Sequence, residues 1–305
     1  MLLATWIKMI IEFQVLMWDR LSDKNRASNS SSSTASEDRK VRGDPSSVLT
    51  YFPFVNNDAS KVSWAHRVNN RQLLKQSLAD ENILMLEADV LRGRLKNSAD
   101  TSEVAIMAHP PDRESDLTFD DFIDNVIQAK AGKGVKLDFK DFSVVEECLK
   151  KLQKRSDELK FPILLNADII AGPLKAKKTP IDADAFLSTC KTYFPEATLS
   201  VGWTIDVPKL YLGGGAYRMD HLDQMLAALE RNNITQPVTF PVFGLFAHNS
   251  VKALGWLLDR VAGSSLTIWG GKMDAPYHNR KALARMRDEL GRDRVFFDLP
   301  YNLPK

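Results

Sequence analysis

Cysteine is scarce in this chain. Its 305 residues hold two, Cys148 and Cys190, both in stretches of helical periodicity and neither beside a metal-ligating neighbour. No disulfide framework is indicated, so the fold must hold by its core alone, with both thiols buried. An excess of charge of one sign is lacking too. Lys and Arg total 41 against 39 Asp and Glu, a net +2. That balance gives no reason to expect nucleic acid or an anionic membrane as the main partner. Long uninterrupted apolar runs are missing as well. The opening MLLATWIKMIIEFQVLMWDR is broken by Lys8, Glu12 and Gln14, and a bilayer span needs about 20 apolar residues. The start lacks the basic charge of a signal peptide and the centre is broken. A short interfacial helix is the other reading of residues 1–21. The compartment therefore stays open between cytoplasm and secretion, and the sequons at Asn29 and Asn233 are too short a motif to decide it. Finally, no Gly-rich nucleotide turn follows the first strand, which counts against a doubly wound sheet.

What is present is ordinary globular composition, 44% hydrophobic and 26% charged, enough for one large core. Residues 22–47 are Ser-rich and charged with almost nothing apolar to bury, and are expected to be a disordered linker. From residue 48 to 305 the texture is that of one folded domain. Short runs rich in Val, Ile, Leu and Phe recur at 62–68, 82–90, 104–110, 134–140, 161–170, 197–203, 238–247, 265–271 and 294–300. Between them the apolar spacing predicts helices over 69–79, 118–131, 143–159, 182–193, 217–233, 249–262 and 276–290. Strands alternating with helices imply parallel βαβ units. The run at 104–110 follows 82–90 with no helix between, so it reads as a loop or hairpin. Eight strands remain, the number of a (β/α)8 TIM barrel, and the length fits.

In such a barrel the site lies at the C-terminal strand ends. There the sequence places His66 and Arg67, then Glu87 and Asp89, then His109, Asp138 and Lys140, Asn166 and Asp168, Trp203, Trp269 and Asp298. Glu87 and Asp89 are two apart in a strand and share a face. Buried bare, they are costly, and an oxygen-liganded Mg2+ or Ca2+ would relieve that cost. Asp138 could complete three carboxylates, with Lys136 and Lys140 on its face and Lys140 able to hold a phosphate oxygen. The alternative for the same residues is an internal ion-pair network. His66 and His109 beside these carboxylates point to acid–base work. His221 and His278 read as surface residues, and the GGG at 213–215 as a flexible loop.

Together these stretches resemble the phospholipase C-like phosphodiesterases, whose nearest patterns are the glycerophosphodiester phosphodiesterases and the sphingomyelinase D-like enzymes. The run His66-Arg67-Val68-Asn69 and the run Leu137 to Lys140 carry the likeness. More narrowly, WAHRVNN, LEADV, MAHPP, KLDFK, LNADI, VGWT and TIWGG resemble the menorin family over about residues 60–305. The resemblance implies a TIM barrel, His66 and His109 as acid–base pair, and one Mg2+ or Ca2+ on Glu87, Asp89 and Asp138. It also implies a phosphate contact from Lys140 and a place beside the substrate for Trp269, and Arg67, Asn166 and Trp203 join them as candidate substrate contacts from their strand-end positions. Two departures stand out: Val68 where many glycerophosphodiesterases have Gly, and Pro110-Pro111 after the second histidine where they have Asp. Two functions follow as expectations. One is a metal-dependent phosphodiesterase acting on a small phosphodiester or lipid headgroup. The other is a non-catalytic extracellular recognition protein, with a protein partner, on the same barrel.

Overall fold

The structure, a computed structural model, describes residues 41–174, 178–206, 214–301 and 303. The apolar segment 1–21, most of the expected linker and Asn29 lie outside the described residues. Ten strands form one sheet. They are β1 (Trp64–Ala65), β2 (Met85–Leu95), β3 (Val104–Met107), β4 (Glu114–Ser115), β5 (Gly134–Phe139), β6 (Ile163–Ile170), β7 (Thr198–Trp203), β8 (Val238–Phe243), β9 (Ser265–Trp269) and β10 (Val295–Asp298). Eight of them pair in parallel in the order β1-β2-β5-β6-β7-β8-β9-β10, a nearly closed (β/α)8 barrel as expected. β3 returns antiparallel along β2, Val90 opposite Met107, and is the hairpin that the missing helix implied.

Among the described residues, seven helices of nine residues or more follow the strands: α1 (Arg71–Ala79), α2 (Phe119–Ala129), α3 (Val145–Gln153), α4 (Ala183–Tyr193), α5 (Met219–Arg231), α6 (Val251–Arg260) and α7 (Arg280–Leu290). Several start at a side-chain cap. Asn70, Thr118, Asp182 and Asn279 each accept a backbone N–H from the first turn of α1, α2, α4 and α7, satisfying donors that the helix itself cannot. α2 buries Phe119, Phe122, Ile123 and Val126, the 3.6-residue stripe of a helix laid on a sheet.

Strand periodicity decides where the core sits. Leu86, Ala88, Val90, Val135, Leu137, Phe139, Leu165, Ala167, Leu199, Val201, Phe240, Val242, Leu266 and Ile268 are all buried, and on every strand they alternate with the inward-facing residues. The main hydrophobic layer therefore lies between strands and helices. Inward positions hold Glu87 and Asp89, Lys136 and Asp138, Asn166, Ser200, Thr239 and Thr267 instead. A barrel of this kind ordinarily fills its interior with branched apolar side chains.

Three predicted elements change at their ends. The first strand shrinks to two residues because Arg67 adopts a left-handed backbone, φ 58°, and Val68 N donates to the Glu87 carbonyl at 2.8 Å. β2 runs on to Leu95 because β3 and β4 pair with its far end. The expected strand 238–247 stops at Phe243, and Gly244–Ala247 makes one helical turn. Within the expected linker, Arg42 is placed against the domain. Its Nε donates to Gly132 O at 2.7 Å, and its guanidinium stands over the rings of Tyr51, Phe52 and Phe54. The GGG loop lies only partly within the described residues.

His221 and His278 are not at the surface. Both are buried. Nδ1 of His221 accepts the Arg218 N–H at the start of α5, while His278 contacts Asp274 and Tyr301. Their positions near helix starts suggested exposure, but His221 belongs to the buried stripe of α5 with Leu222, Met225, Ala228 and Leu229, and His278 is packed against Gly244, Gly270 and Tyr301. Cys148 and Cys190 are buried free thiols, and burial raises both thiol pKa values.

Candidate active site at the barrel mouth

Parallel pairing puts Asp89 opposite Asp138 and Asp138 opposite Asn166, with Glu87 opposite Lys136 one layer deeper. Since β2 and β5 are adjacent, four charged side chains from two strands share a small volume. Potential ligand oxygens of Glu87, Asp89 and Asp138 all lie within 4.8 Å of one another, and so do ligand atoms of His66, Glu87 and Asp298. Glu87 belongs to both groups.

His66 sits at the seam where the barrel's first and last strands meet without pairing. Its Nδ1 is 2.9 Å from Asp298 Oδ2 and 3.2 Å from Glu87 Oε2. The left-handed Arg67 aims its own N–H at Glu87 Oε2, 2.7 Å away. A non-glycine residue at positive φ costs energy and commonly marks a functional turn. Burial disfavours the charged imidazolium, but Asp298 and Glu87 outweigh it and push His66 up to about 10. Burial pushes Glu87 above the usual carboxylate range, against the attraction of His66 and with the repulsion of Asp89. For Asp298 burial acts in the same direction, but His66 overcomes it and holds the carboxyl low.

Asp89 is fixed by Asn69. Asn69 Nδ2 donates to Asp89 Oδ2 at 2.7 Å, and Asp89 N donates to Asn69 Oδ1 at 2.9 Å. The β2–β3 hairpin then folds His109 over the same carboxylate, with Ala108 N donating to Asp89 O at 3.0 Å. Nδ1 of His109 lies 2.6 Å from the Pro110 carbonyl. That contact makes Nδ1 the protonated nitrogen of the neutral ring and leaves Nε2 as the acceptor. Burial lowers the His109 pKa below its ordinary value.

Lys140 bridges the two aspartates, 2.5 Å from Asp138 Oδ2 and 3.3 Å from Asp89 Oδ1. Burial favours its neutral form, but those two carboxylates raise its pKa well above normal. Asp138 is lowered, because Lys140 and Lys136 outweigh its burial. One oxygen, Asp138 Oδ1, is buried and accepts no hydrogen bond. Three carboxylates around such an oxygen form a donor set that fits a hard divalent cation.

A continuous cavity is lined by His66, Arg67, Glu87, Asp89, His109, Lys136, Asp138, Lys140 and Trp269, with Asp298 at the seam. Two expected substrate contacts lie elsewhere. Trp203 is 1% exposed, packed on Tyr217 and Phe240, and its indole N–H donates to the His221 carbonyl. The β7 position just past the inward Gly202 turns its ring outward. Asn166 is buried opposite Asp138, accepts from Ser200 Oγ at 2.6 Å and helps to hold the Asp138 carboxyl low, so it braces the carboxylate cluster without lining the cavity. Sequence reasoning gave no role to Asn69 or Asp298. Asn69 was visible as the last residue of the His66-Arg67-Val68-Asn69 run. Asp298 stood at a strand end, but its partner is 232 residues away.

The Menorin N-terminal domain model matches residues 58–304. Human protein FAM151B is 35% identical over 257 residues, which cover 83% of this chain and 88% of that protein. Similar solved structures are a GH39 β-xylosidase from Caulobacter crescentus and Rhizobium etli pyruvate carboxylase. The xylosidase has a TM-score of 0.42 and 11% identity, over 79% of this chain and 62% of that one. The carboxylase has a TM-score of 0.45 and 11% identity, over 85% and 26%.

Proposed function

The chain belongs to the menorin family, and we propose that its barrel mouth is the active site of a divalent-cation-dependent phosphodiesterase of the phospholipase C-like type. Its substrates would be glycerophosphodiesters or phospholipids. The observation that carries this reading is the convergence of Glu87, Asp89 and Asp138 around a buried carboxylate oxygen with no donor. These three residues would hold one Mg2+ or Ca2+, which when bound supplies a positive centre for the phosphate oxygens.

The two histidines divide the proton work because their surroundings push them apart. His109, kept neutral by burial, accepts a proton at Nε2 from the attacking hydroxyl, whether of water or of the substrate itself. His66, kept charged by Asp298 and Glu87, gives a proton to the departing alkoxide. Asp298 and Arg67 N–H orient His66 and Glu87, and Asn69 orients Asp89.

The test is turnover of bis(p-nitrophenyl) phosphate and of glycerophosphodiesters by the full chain with Mg2+, Ca2+ or EDTA. Cation-dependent turnover that is lost in Asp89→Asn and reduced ~100-fold or more in His109→Ala and His66→Ala is expected. Unchanged turnover in His66→Ala on every accepted diester would sink the mechanism. One observation favours a second reading, a non-catalytic binding protein. Lys140 already contacts both Asp89 and Asp138, so the carboxylates have a counter-charge without an ion. Equal thermal stability in EDTA, Mg2+ and Ca2+ would favour that reading.

A further inference from the structure

The two lysines of β5 face the same cavity and differ in what they touch. Lys140 is held by two carboxylates. Lys136 is 3% exposed and lines the cavity, yet among the described residues it has no carboxylate within 4 Å and donates no hydrogen bond. Its ammonium stands 6.0 Å from the centre of the Trp64 ring, a weak electrostatic partner. A lysine side chain so deeply buried is ordinarily paired or hydrogen-bonded, and here the side chain faces the cavity instead. Glu87, Asp138 and Asp298 are near enough for Lys136 to act on their charge, which explains how the cation is tolerated. It does not supply acceptors for the three N–H donors.

We propose that Lys136, and not Lys140, is the seat for an anionic oxygen of a phosphate-bearing ligand in this cavity. The inference rests on the phosphodiester reading of the same site and shifts the anion contact from the lysine expected there. Lys136 occupies the layer of Glu87, one step below Asp89 and Asp138. An oxyanion reaching Lys136 would therefore lie on the deeper wall of the cavity, which Lys136 and Trp64 line, a layer below Asp89 and Asp138. Lys140 keeps the role the contacts give it, neutralising Asp89 and Asp138. An approaching anion would meet that lysine already balanced by two carboxylates.

The probe is inorganic phosphate, titrated calorimetrically into the full chain with and without Mg2+, and used as an inhibitor of diester turnover. Lys136→Met is expected to weaken phosphate binding ~10- to 100-fold, the cost of one charge-assisted contact. Lys136→Arg should restore part of it. Should the methionine variant unfold, Lys136→Gln keeps a polar side chain of similar reach and answers the same question. Unchanged phosphate affinity and diester KM in a folded Lys136→Met or Lys136→Gln protein that still turns over diesters would overturn the Lys136 assignment and leave the phosphodiesterase reading standing. Lys136-dependent phosphate binding by a protein that turns over no diester would sustain the assignment while the enzymatic reading fell. No phosphate binding by the unaltered chain would overturn the Lys136 assignment, while the enzymatic reading stands or falls on diester turnover.

Discussion

The barrel interior has two unlike halves. On the side of β1, β2, β5 and β10 it is charged, with His66, Glu87, Asp89, Lys136, Asp138, Lys140 and Asp298 drawn into one network. On the side of β7, β8 and β9 it is small and neutral. Ser200 bonds Asn166, Thr239 bonds Thr267 at 2.9 Å, and Gly202 packs against Pro241. The neutral half satisfies its hydroxyls pairwise and asks nothing of a ligand. The charged half carries a buried oxygen, Asp138 Oδ1, with no hydrogen-bond partner, and a lysine, Lys136, that faces the cavity without a carboxylate within 4 Å among the described residues. Unequal satisfaction within one scaffold separates residues that hold the barrel from those that the proposed function assigns to chemistry.

The largest break in this contrast is expected from Lys140→Met. It leaves Asp89 and Asp138 buried without their cation and should cost ~3–5 kcal/mol, read by urea unfolding. In the neutral half the matched experiment, Thr239→Val with Thr267→Val, removes both partners of one hydrogen bond and should change stability by less than ~1 kcal/mol. Comparable losses in the two would erase the distinction.

Next in size is the response to metal. Mg2+ or Ca2+ at ~100 times its dissociation constant should stabilise the native protein by ~2.7 kcal/mol. For a domain of this length that is ~5–10 °C in Tm. Asp89→Asn should abolish the shift, and the valine pair should keep it.

A steric change sharpens the neutral half. A Cβ on Gly202 would come within 2.6 Å of Pro241 Cγ and 3.4 Å of Asp168 Oδ1, too close for the proline ring to ignore. Gly202→Ala should destabilise by ~1–3 kcal/mol, measured by thermal melting, without altering the metal shift.

The contrast also has a signature in pH. His66 is raised from 6.5 to about 10 by Asp298 and Glu87 against its burial. A group raised on folding stabilises fully below its unfolded pKa and loses that contribution as pH climbs through the folded one. In EDTA, the stability advantage of the native chain over His66→Gln should therefore be full near pH 6 and fade toward pH 10. Turnover should follow His109 in the other direction. Its pKa lies below 6.5, so activity should rise with pH through the mildly acidic range as Nε2 becomes free, and His109→Ala should flatten that limb.

Much of this was legible in the sequence. Eight strands, the helices between them and the hairpin at 104–110 followed from periods of 2 and 3.6 and from the absence of a crossover helix. Glu87, Asp89, Asp138, His66 and His109 were readable as one constellation because each stands at a strand end. Trp203 misled because the same rule was applied without its parity: it sits next to the inward Gly202, so its ring belongs to the outer core. His221 misled because its place on the buried 3.6-period stripe of α5, with Leu222, Met225, Ala228 and Leu229, was passed over for its nearness to the helix start, and His278 because the packing around it leaves no periodic trace.

Periodicity is a local property, and it determined the barrel and brought the carboxylates to one end of it. Closure is not local. Only the folded ring sets His66 beside Asp298, 232 residues on, and so decides which histidine is charged. Only the packed interior gives Lys140 two carboxylates and Lys136 none, although both lie two residues from Asp138 on the same strand face. An alternating pattern fixes which way a side chain points. What it meets there depends on the strands that close around it.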